Sequence, residues 1–202
     1  MELESSIACV PSWPPDREAA RVAILRWRRE MTAAERARRS ASIARALEPW
    51  LLRSRQALSN RVSHPVLGVY WPIRGEPDLT PHFADWIAAG WQMALPVTPS
   101  VPGPLTYVHY RPGQVMLPDA KGIAHPRDAE VTVPDCVVAP CVGFASGGFR
   151  LGYGGGYFDR TLQSMAGSSV GVAYRETLIA DFEPQEHDHP MTAIVTDAGW
   201  VG

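Results

Sequence analysis

Asp135-Cys136-Val137-Val138-Ala139-Pro140, then Cys141-Val142, then Gly143-Phe144-Ala145-Ser146-Gly147-Gly148-Phe149-Arg150-Leu151-Gly152-Tyr153-Gly154-Gly155-Gly156-Tyr157-Phe158-Asp159-Arg160 is the stretch that decides the fold. The first six residues are a short apolar run of the kind found in a strand covered on both faces. Seven of the eighteen residues from Gly143 to Arg160 are glycine, and a helix is expected from about Phe158. Strand, glycine-dense turn and helix in that order predict an α/β unit. Glycines at such a turn let backbone N–H groups approach an anion closely, and a helix start adds partial positive charge. Arg150 offers a planar fork to a phosphate or carboxylate. Asp159 is placed to hold Mg²⁺ beside that phosphate, because magnesium takes one or two protein carboxylates plus phosphate oxygens. Two common phosphate motifs fail. A Walker loop needs Gly-Lys-[Ser/Thr] where Gly155-Gly156 run into Tyr157, and the dinucleotide pattern G-x-G-x-x-G is closed by Tyr157 instead of glycine.

Working outward, Val66 to Trp71 is a second buried strand, with further strands at Met93–Val97, Leu105–Tyr110, Val170–Tyr174 and near Ala193–Thr196. Thr80-Pro81 predicts a capped helix start, with Phe83, Trp86 and Ile87 as its buried stripe and Gly90 as its end. Residues 98–104 and 111–135, rich in Pro and Gly, are expected to be loops. Residues 1–15, with Pro11, Pro14 and Pro15, are expected to form an irregular arm. A helix follows from Asp16 to near Met31, with Ile24, Trp27 and Met31 on one face. Thr32-Ala33-Ala34-Glu35 is a capping-box sequence in which threonine and glutamate satisfy each other's N–H groups, and it predicts a second helix to about Arg53. Nine arginines lie between Arg17 and Arg45, expected mainly on solvated helix faces.

The chain has 202 residues, 19 Lys+Arg and 21 Asp+Glu, for a formal charge of −2. A single domain, 1–202, is the expectation at this length. The charge balance speaks against a nucleic-acid binder. No apolar run approaches the roughly 20 residues of a membrane span, and the acidic start Met1-Glu2-Leu3-Glu4-Ser5-Ser6 lacks the order of a signal peptide. Three cysteines, Cys9, Cys136 and Cys141, without a C-x-x-C pair fit a reducing cytoplasm. Lys121 is the only lysine, which reads first as compositional bias. Glu186-His187-Asp188-His189 is crowded enough to be a solvated turn sooner than a metal site.

The run Arg150-Leu151-Gly152-Tyr153-Gly154-Gly155-Gly156-Tyr157-Phe158-Asp159-Arg160 resembles the signature of the 5-formyltetrahydrofolate cyclo-ligase (5,10-methenyltetrahydrofolate synthetase) family. The resemblance extends from about residue 17 to 197, through Thr32–Arg36, Tyr70-Trp71-Pro72, Glu76, Leu95-Pro96-Val97, Gly122-Ile123 and His187-Asp188. It implies a three-layer α/β/α fold with a mostly parallel sheet and an N-terminal helical pair. It also implies a cytoplasmic enzyme that uses ATP and Mg²⁺ to convert 5-formyltetrahydrofolate to 5,10-methenyltetrahydrofolate, with no nucleic-acid or membrane partner and a monomer favoured. By resemblance, Arg17, Arg21, Gly148, Arg150, Leu151, Gly152, Tyr153, Gly154, Gly155, Gly156 and Tyr157 would bind ATP. Trp71, Glu76 and Tyr157 would bind the folate, Asp159 the metal, and Arg150 and Tyr157 would serve catalysis. The sequence departs from the family at Arg17, where lysine is usual, and at Ala145 and Thr192, where acids are usual. The alternative is a folate- or nucleotide-binding protein of the same fold that does not turn over.

Overall fold

The computed structural model describes residues 11–201. Cys9, the acidic start Met1–Ser6 and most of the expected irregular arm lie outside the described residues; residues 11–15 have no regular structure. Two helices follow, α1 (Arg17–Glu30) and α2 (Ala33–Leu58). The next elements are β1 (Val66–Gly68), α3 (Phe83–Ala88), β2 (Gln92–Val97), β3 (Thr106–Tyr110), β4 (Met116–Pro118), β5 (Ala124–Pro126) and β6 (Val131–Thr132). The chain continues through β7 (Cys136–Pro140), β8 (Gly143–Phe144), β9 (Arg150–Leu151), α4 (Tyr157–Gln163), β10 (Ser168–Ala173), β11 (Ala193–Thr196) and β12 (Gly199–Val201).

The main sheet has the order β12-β11-β10-β7-β1-β2-β3-β6. Its five central strands are mutually parallel, and β12 at one edge and β3 and β6 at the other run antiparallel to their neighbours. Strand periodicity splits the core in two. Leu67, Cys136, Val138, Val170, Val172 and Val195 meet Ile43, Leu47 and Leu51 of α2 and Phe83 and Trp86 of α3 on one face. Val66, Val137, Ala139, Ala173 and Ile194 meet Leu162 of α4 on the other. Helices thus cover both faces, the three-layer α/β/α arrangement. Chain order reverses between β1 and β7, since β2 lies on one side of β1 and β7 on the other. Open parallel sheets place ligands at such a point, beyond the carboxyl ends of the strands.

Several local expectations change. Only Val66–Gly68 of the predicted 66–71 strand joins the ladder; Val69 adds one bond, to the Ala94 carbonyl at 2.9 Å. Residues 111–135 hold the β4–β5 hairpin and β6 in place of a plain loop. The Thr80 hydroxyl is not a helix cap: it donates to the Asp78 carboxylate at 2.6 Å, and a 3₁₀ turn over Thr80–His82 leads into α3. Helix α2 continues past Arg53, and through Pro49, to Leu58. The capping box is half made, for Thr32 Oγ1 accepts from the Glu35 N–H at 3.2 Å while the Glu35 carboxylate turns to Arg39 at 2.8 Å.

The arginine-rich helices are less solvated than their composition suggests. Arg39 meets Glu35, Glu176 and Asp197 at once. Arg28 is fully buried and donates through Nη2 to the Cys141 carbonyl and, at 3.0 Å, to that of Val142. It thereby ties α1 to the end of β7. We expect Arg28→Ala to destabilise the fold by roughly 2–6 kcal/mol, since two buried carbonyls each lose their donor at about 1–3 kcal/mol. Urea unfolding measures this, and a midpoint equal to wild type would contradict it.

Candidate functional site

Past β7 the chain runs out along β8 and returns along β9, with Phe144 opposite Arg150 and Gly143 opposite Leu151. Because successive strand residues face opposite ways, Arg150 and Leu151 part company. Leu151 enters a cluster with Ala20, Ile24, Val142 and Ile179 under α1, whereas Arg150 points into a cleft of about 640 Å³. The turn between the strands depends on Gly148, at φ +80°, where a Cβ would lie 2.3 Å from the Met191 carbonyl oxygen. Gly148 is therefore a packing glycine, and neither it nor Leu151 lines the cleft. Gly152 to Gly156 do line it. Gly156, at φ +61°, precedes α4 with no side-chain cap. That helix has seven residues, so the anion-attracting character rests mainly on loop amides and arginines.

Five guanidinium groups line the cleft around this loop, Arg74 among them, with its Cζ over the Tyr153 ring at 5.3 Å. Arg150, 5 % exposed, pairs with Asp159 Oδ1 at 2.8 Å and lies over the Phe158 ring at 5.2 Å, while its buried Nε has no partner among the described residues. Arg21 donates through Nε to the Gly152 carbonyl at 2.7 Å and pairs with Glu18. Arg160 donates to the Gly155 carbonyl at 2.5 Å and covers the Tyr157 ring. Arg17 forks onto Asp188 at 2.6 and 2.9 Å. Burial pushes the Asp188 carboxyl up, but hydrogen bonds from Arg17 and the Gln185 N–H outweigh it and hold the group below the usual range.

The opposite wall follows β1. Trp71 is half-buried, edge-on to Tyr110 at 6.2 Å. Glu76 is 2 % exposed; its Oε2 accepts from the Ile73 N–H and its Oε1 from the Tyr153 hydroxyl, both at 2.9 Å. Burial pushes its carboxyl up to about 7, against the pull of the Ile73 N–H, Arg28, the Tyr153 hydroxyl and Arg74. The β4–β5 turn closes this side with Lys121, Gly122 and Ile123. Asp119 fixes that turn by accepting from the N–H groups of Thr98, Lys121 and Ile123 at 2.8, 2.8 and 2.9 Å.

One cleft thus brings together Arg17, Arg21, Trp71, Glu76, Arg150, Gly152, Tyr153, Gly154, Gly155, Gly156, Tyr157 and Asp159. It also contains residues the sequence did not single out for it: Arg74, Lys121, Arg160 and Asp188. Lys121 stood out as the sole lysine, while Arg160 ended the signature run and Asp188 lay in the resemblance without a role. Asp197, the nearest acid after Thr192, binds Arg39 and the Arg175 N–H instead. Among the described residues no group of three His, Cys, Asp or Glu side chains is placed to hold a metal. The set does fit Mg²⁺ of the kind that rides on a phosphate: both hydrogen bonds to Asp159 fall on Oδ1, leaving Oδ2 for one metal contact in a cleft lined by five arginines. No helix among the described residues is long and apolar enough to cross a membrane.

The sequence model of the 5-formyltetrahydrofolate cyclo-ligase family matches residues 14–197. The 5-formyltetrahydrofolate cyclo-ligase of Escherichia coli K12 is 31 % identical over 156 residues, covering 70 % of this chain and 86 % of that one. The enzyme of the same name from Mycolicibacterium smegmatis is 27 % identical over 194 residues, covering 91 % and 94 %. In three dimensions, Aquifex aeolicus 5,10-methenyltetrahydrofolate synthetase superposes with a TM-score of 0.72 at 28 % identity, over 91 % of each chain. The match spans the helical pair, the sheet and the glycine–arginine loop together, and the chain belongs to the 5-formyltetrahydrofolate cyclo-ligase family.

Proposed function

We propose that this chain is an ATP- and Mg²⁺-dependent ligase that closes 5-formyltetrahydrofolate to 5,10-methenyltetrahydrofolate, releasing ADP and phosphate. The observation that carries this is the shared cleft. A glycine–arginine cradle suited to a triphosphate faces a pocket with an aromatic wall at Trp71 and a buried carboxylate at Glu76. The two ligands divide along the sheet. Arg17, Arg21 and Asp188 belong to the side of β10 and α1 and would hold the nucleotide; Trp71, Glu76 and Lys121 follow β1 and the β4–β5 hairpin and would hold the folate.

The formyl oxygen on N5 attacks the γ-phosphorus as ADP leaves. The N10 lone pair then attacks the activated formyl carbon, phosphate departs with the formyl oxygen, and N10 loses its proton. The chain's task is positioning and charge neutralisation, since phosphoryl transfer needs no protein nucleophile. Loop amides from Gly152 to Gly156 orient the phosphates, and the Arg150 fork offsets charge on the moving phosphoryl group. Tyr157, which lines the same cleft, would contact both ligands. Glu76 accepts from the N–H edge of the pterin while Trp71 covers its face. Magnesium held at Asp159 Oδ2 would supply further neutralisation of the phosphates.

Formation of methenyl product, followed by its absorbance with 5-formyltetrahydrofolate, ATP and Mg²⁺, tests this reading. Product must appear with one ADP per turnover. Binding of folate and nucleotide without product would favour the non-catalytic alternative. Excess chelator should stop the reaction and added Mg²⁺ should restore it. In Asp159→Asn we expect the Mg²⁺ concentration for half-maximal rate to rise about tenfold or more, the scale of one lost charged contact; an unchanged Mg²⁺ dependence removes Asp159 from the metal site.

A further inference from the structure

The Tyr153 side chain has a placement that phosphate binding does not explain. It stands in the glycine-rich loop between Gly152 and Gly154, yet its hydroxyl leaves the loop and donates to Glu76 Oε1 at 2.9 Å across the cleft. Three further contacts bear on the bond. Arg21 anchors the preceding residue through the Gly152 carbonyl at 2.7 Å. The same guanidinium passes beside the following one, with its Cζ 3.5 Å from where a Gly154 Cβ would stand. Arg74, two residues before Glu76, covers the Tyr153 ring at 5.3 Å. The bond therefore joins the loop assigned to nucleotide with the carboxylate assigned to folate. Among the described residues, the other hydrogen bond to the Glu76 carboxylate comes from the Ile73 N–H at 2.9 Å.

We propose that Tyr153 is a positioning residue through which nucleotide in the glycine-rich loop strengthens folate binding at Glu76. The inference rests on the functional reading above. The loop's four glycines, Gly152 and Gly154 to Gly156, carry no Cβ to limit their dihedrals, and confining such residues costs entropy. Phosphates on the loop amides and on Arg21 would confine the loop once. Tyr153 would then be held on Glu76 at no second cost, and Glu76 would be fixed with its remaining lone pairs toward the pterin. Linkage makes the effect reciprocal: folate must tighten nucleotide by the same factor.

The test is a pair of equilibrium titrations read by quenching of intrinsic tryptophan fluorescence. One titrates 5-formyltetrahydrofolate with and without saturating MgADP; the other titrates MgADP with and without folate. In the wild type, each ligand is expected to lower the Kd of the other about three- to tenfold, the size a single hydrogen bond can transmit. In Tyr153→Phe, which keeps the ring over Arg74 and removes only the hydroxyl, the ratio of Kd values falls to about one, whatever happens to either affinity alone. A simple structural defect would shift both Kd values and leave the ratio intact. A wild-type ratio of one, or a Tyr153→Phe ratio equal to wild type, overturns the proposal. Tyr153→Met repeats the test should the phenylalanine variant fold poorly. A wild type that binds neither ligand overturns the functional reading itself, a result plainly different from uncoupled binding.

Discussion

Arg150→Ala should lower kcat for methenyl formation by about 10²–10³-fold, the usual scale for removing a preorganised donor to developing charge. Arg150 is 5 % exposed and paired with Asp159 at 2.8 Å, so its fork is held before substrate arrives and little reorganisation is needed during transfer. The variant also leaves Asp159 without its cation, which would weaken the cradle from a second side. Arg150→Lys separates charge from geometry. A lysine keeps the positive charge but offers a point donor where guanidinium offers two parallel N–H groups, so a partial recovery is expected. Stopped-time product absorbance at saturating ATP and folate measures both variants. An Arg150→Ala enzyme within threefold of wild type would remove the residue from the reaction.

Glu76→Gln should separate activity from stability. The Glu76 carboxyl ordinarily titrates near 4.5 and here is pushed up to about 7, chiefly by burial. A raised carboxyl holds its proton more tightly in the folded chain. Its contribution to stability is thus complete below about pH 4.5 and is lost as pH rises through about 7. Above that range the buried charge costs the fold about 3 kcal/mol, by the relation of 1.36 kcal/mol per unit. Glutamine carries no charge and can still accept from the Ile73 N–H and meet the Tyr153 hydroxyl. We therefore expect Glu76→Gln to be more stable than wild type at pH 8 by up to about 3 kcal/mol, with the difference vanishing near pH 4.5. Its KM for folate should rise at least about tenfold, since a charged acceptor for the pterin N–H edge is lost. The wild-type kcat/KM should fall on the acid side of about pH 7, and that limb should disappear in the variant. Urea unfolding at the two pH values decides the stability half, and a variant less stable than wild type at pH 8 would refute it.

The parts of this structure that the sequence announces are those whose signal is local. The buried parallel strands show as continuous apolar runs because both faces are covered, and the glycine-dense bend shows because backbone approach demands glycine. The family signature added the association of Trp71 and Glu76 with that bend. What stayed hidden depends on partners far away in the chain. Arg28 looks like one more helix arginine until carbonyls at Cys141 and Val142 are found to surround it. Leu151 lies inside the signature, yet a two-residue strand sends its side chain into the core beside Ile24. The β4–β5 hairpin is three residues per strand, too short for alternation to stand out among prolines and glycines. Lys121 therefore drew notice by composition alone, although its hairpin forms one wall of the cleft. Glu35 has the spacing of a capping box, but a neighbouring arginine four residues on competed for the carboxylate and won.

Arg28 has a consequence for the order of events during synthesis. Its acceptors lie 113 and 114 residues downstream, and α1 also leans on Leu151 and Ile179. The helix made early therefore leaves the ribosome long before these partners do. Until the segment around residues 141–151 emerges, its guanidinium must stay in water and its apolar stripe stays uncovered, so α1 closes onto the nascent protein late, and the cleft it borders is completed among the final steps.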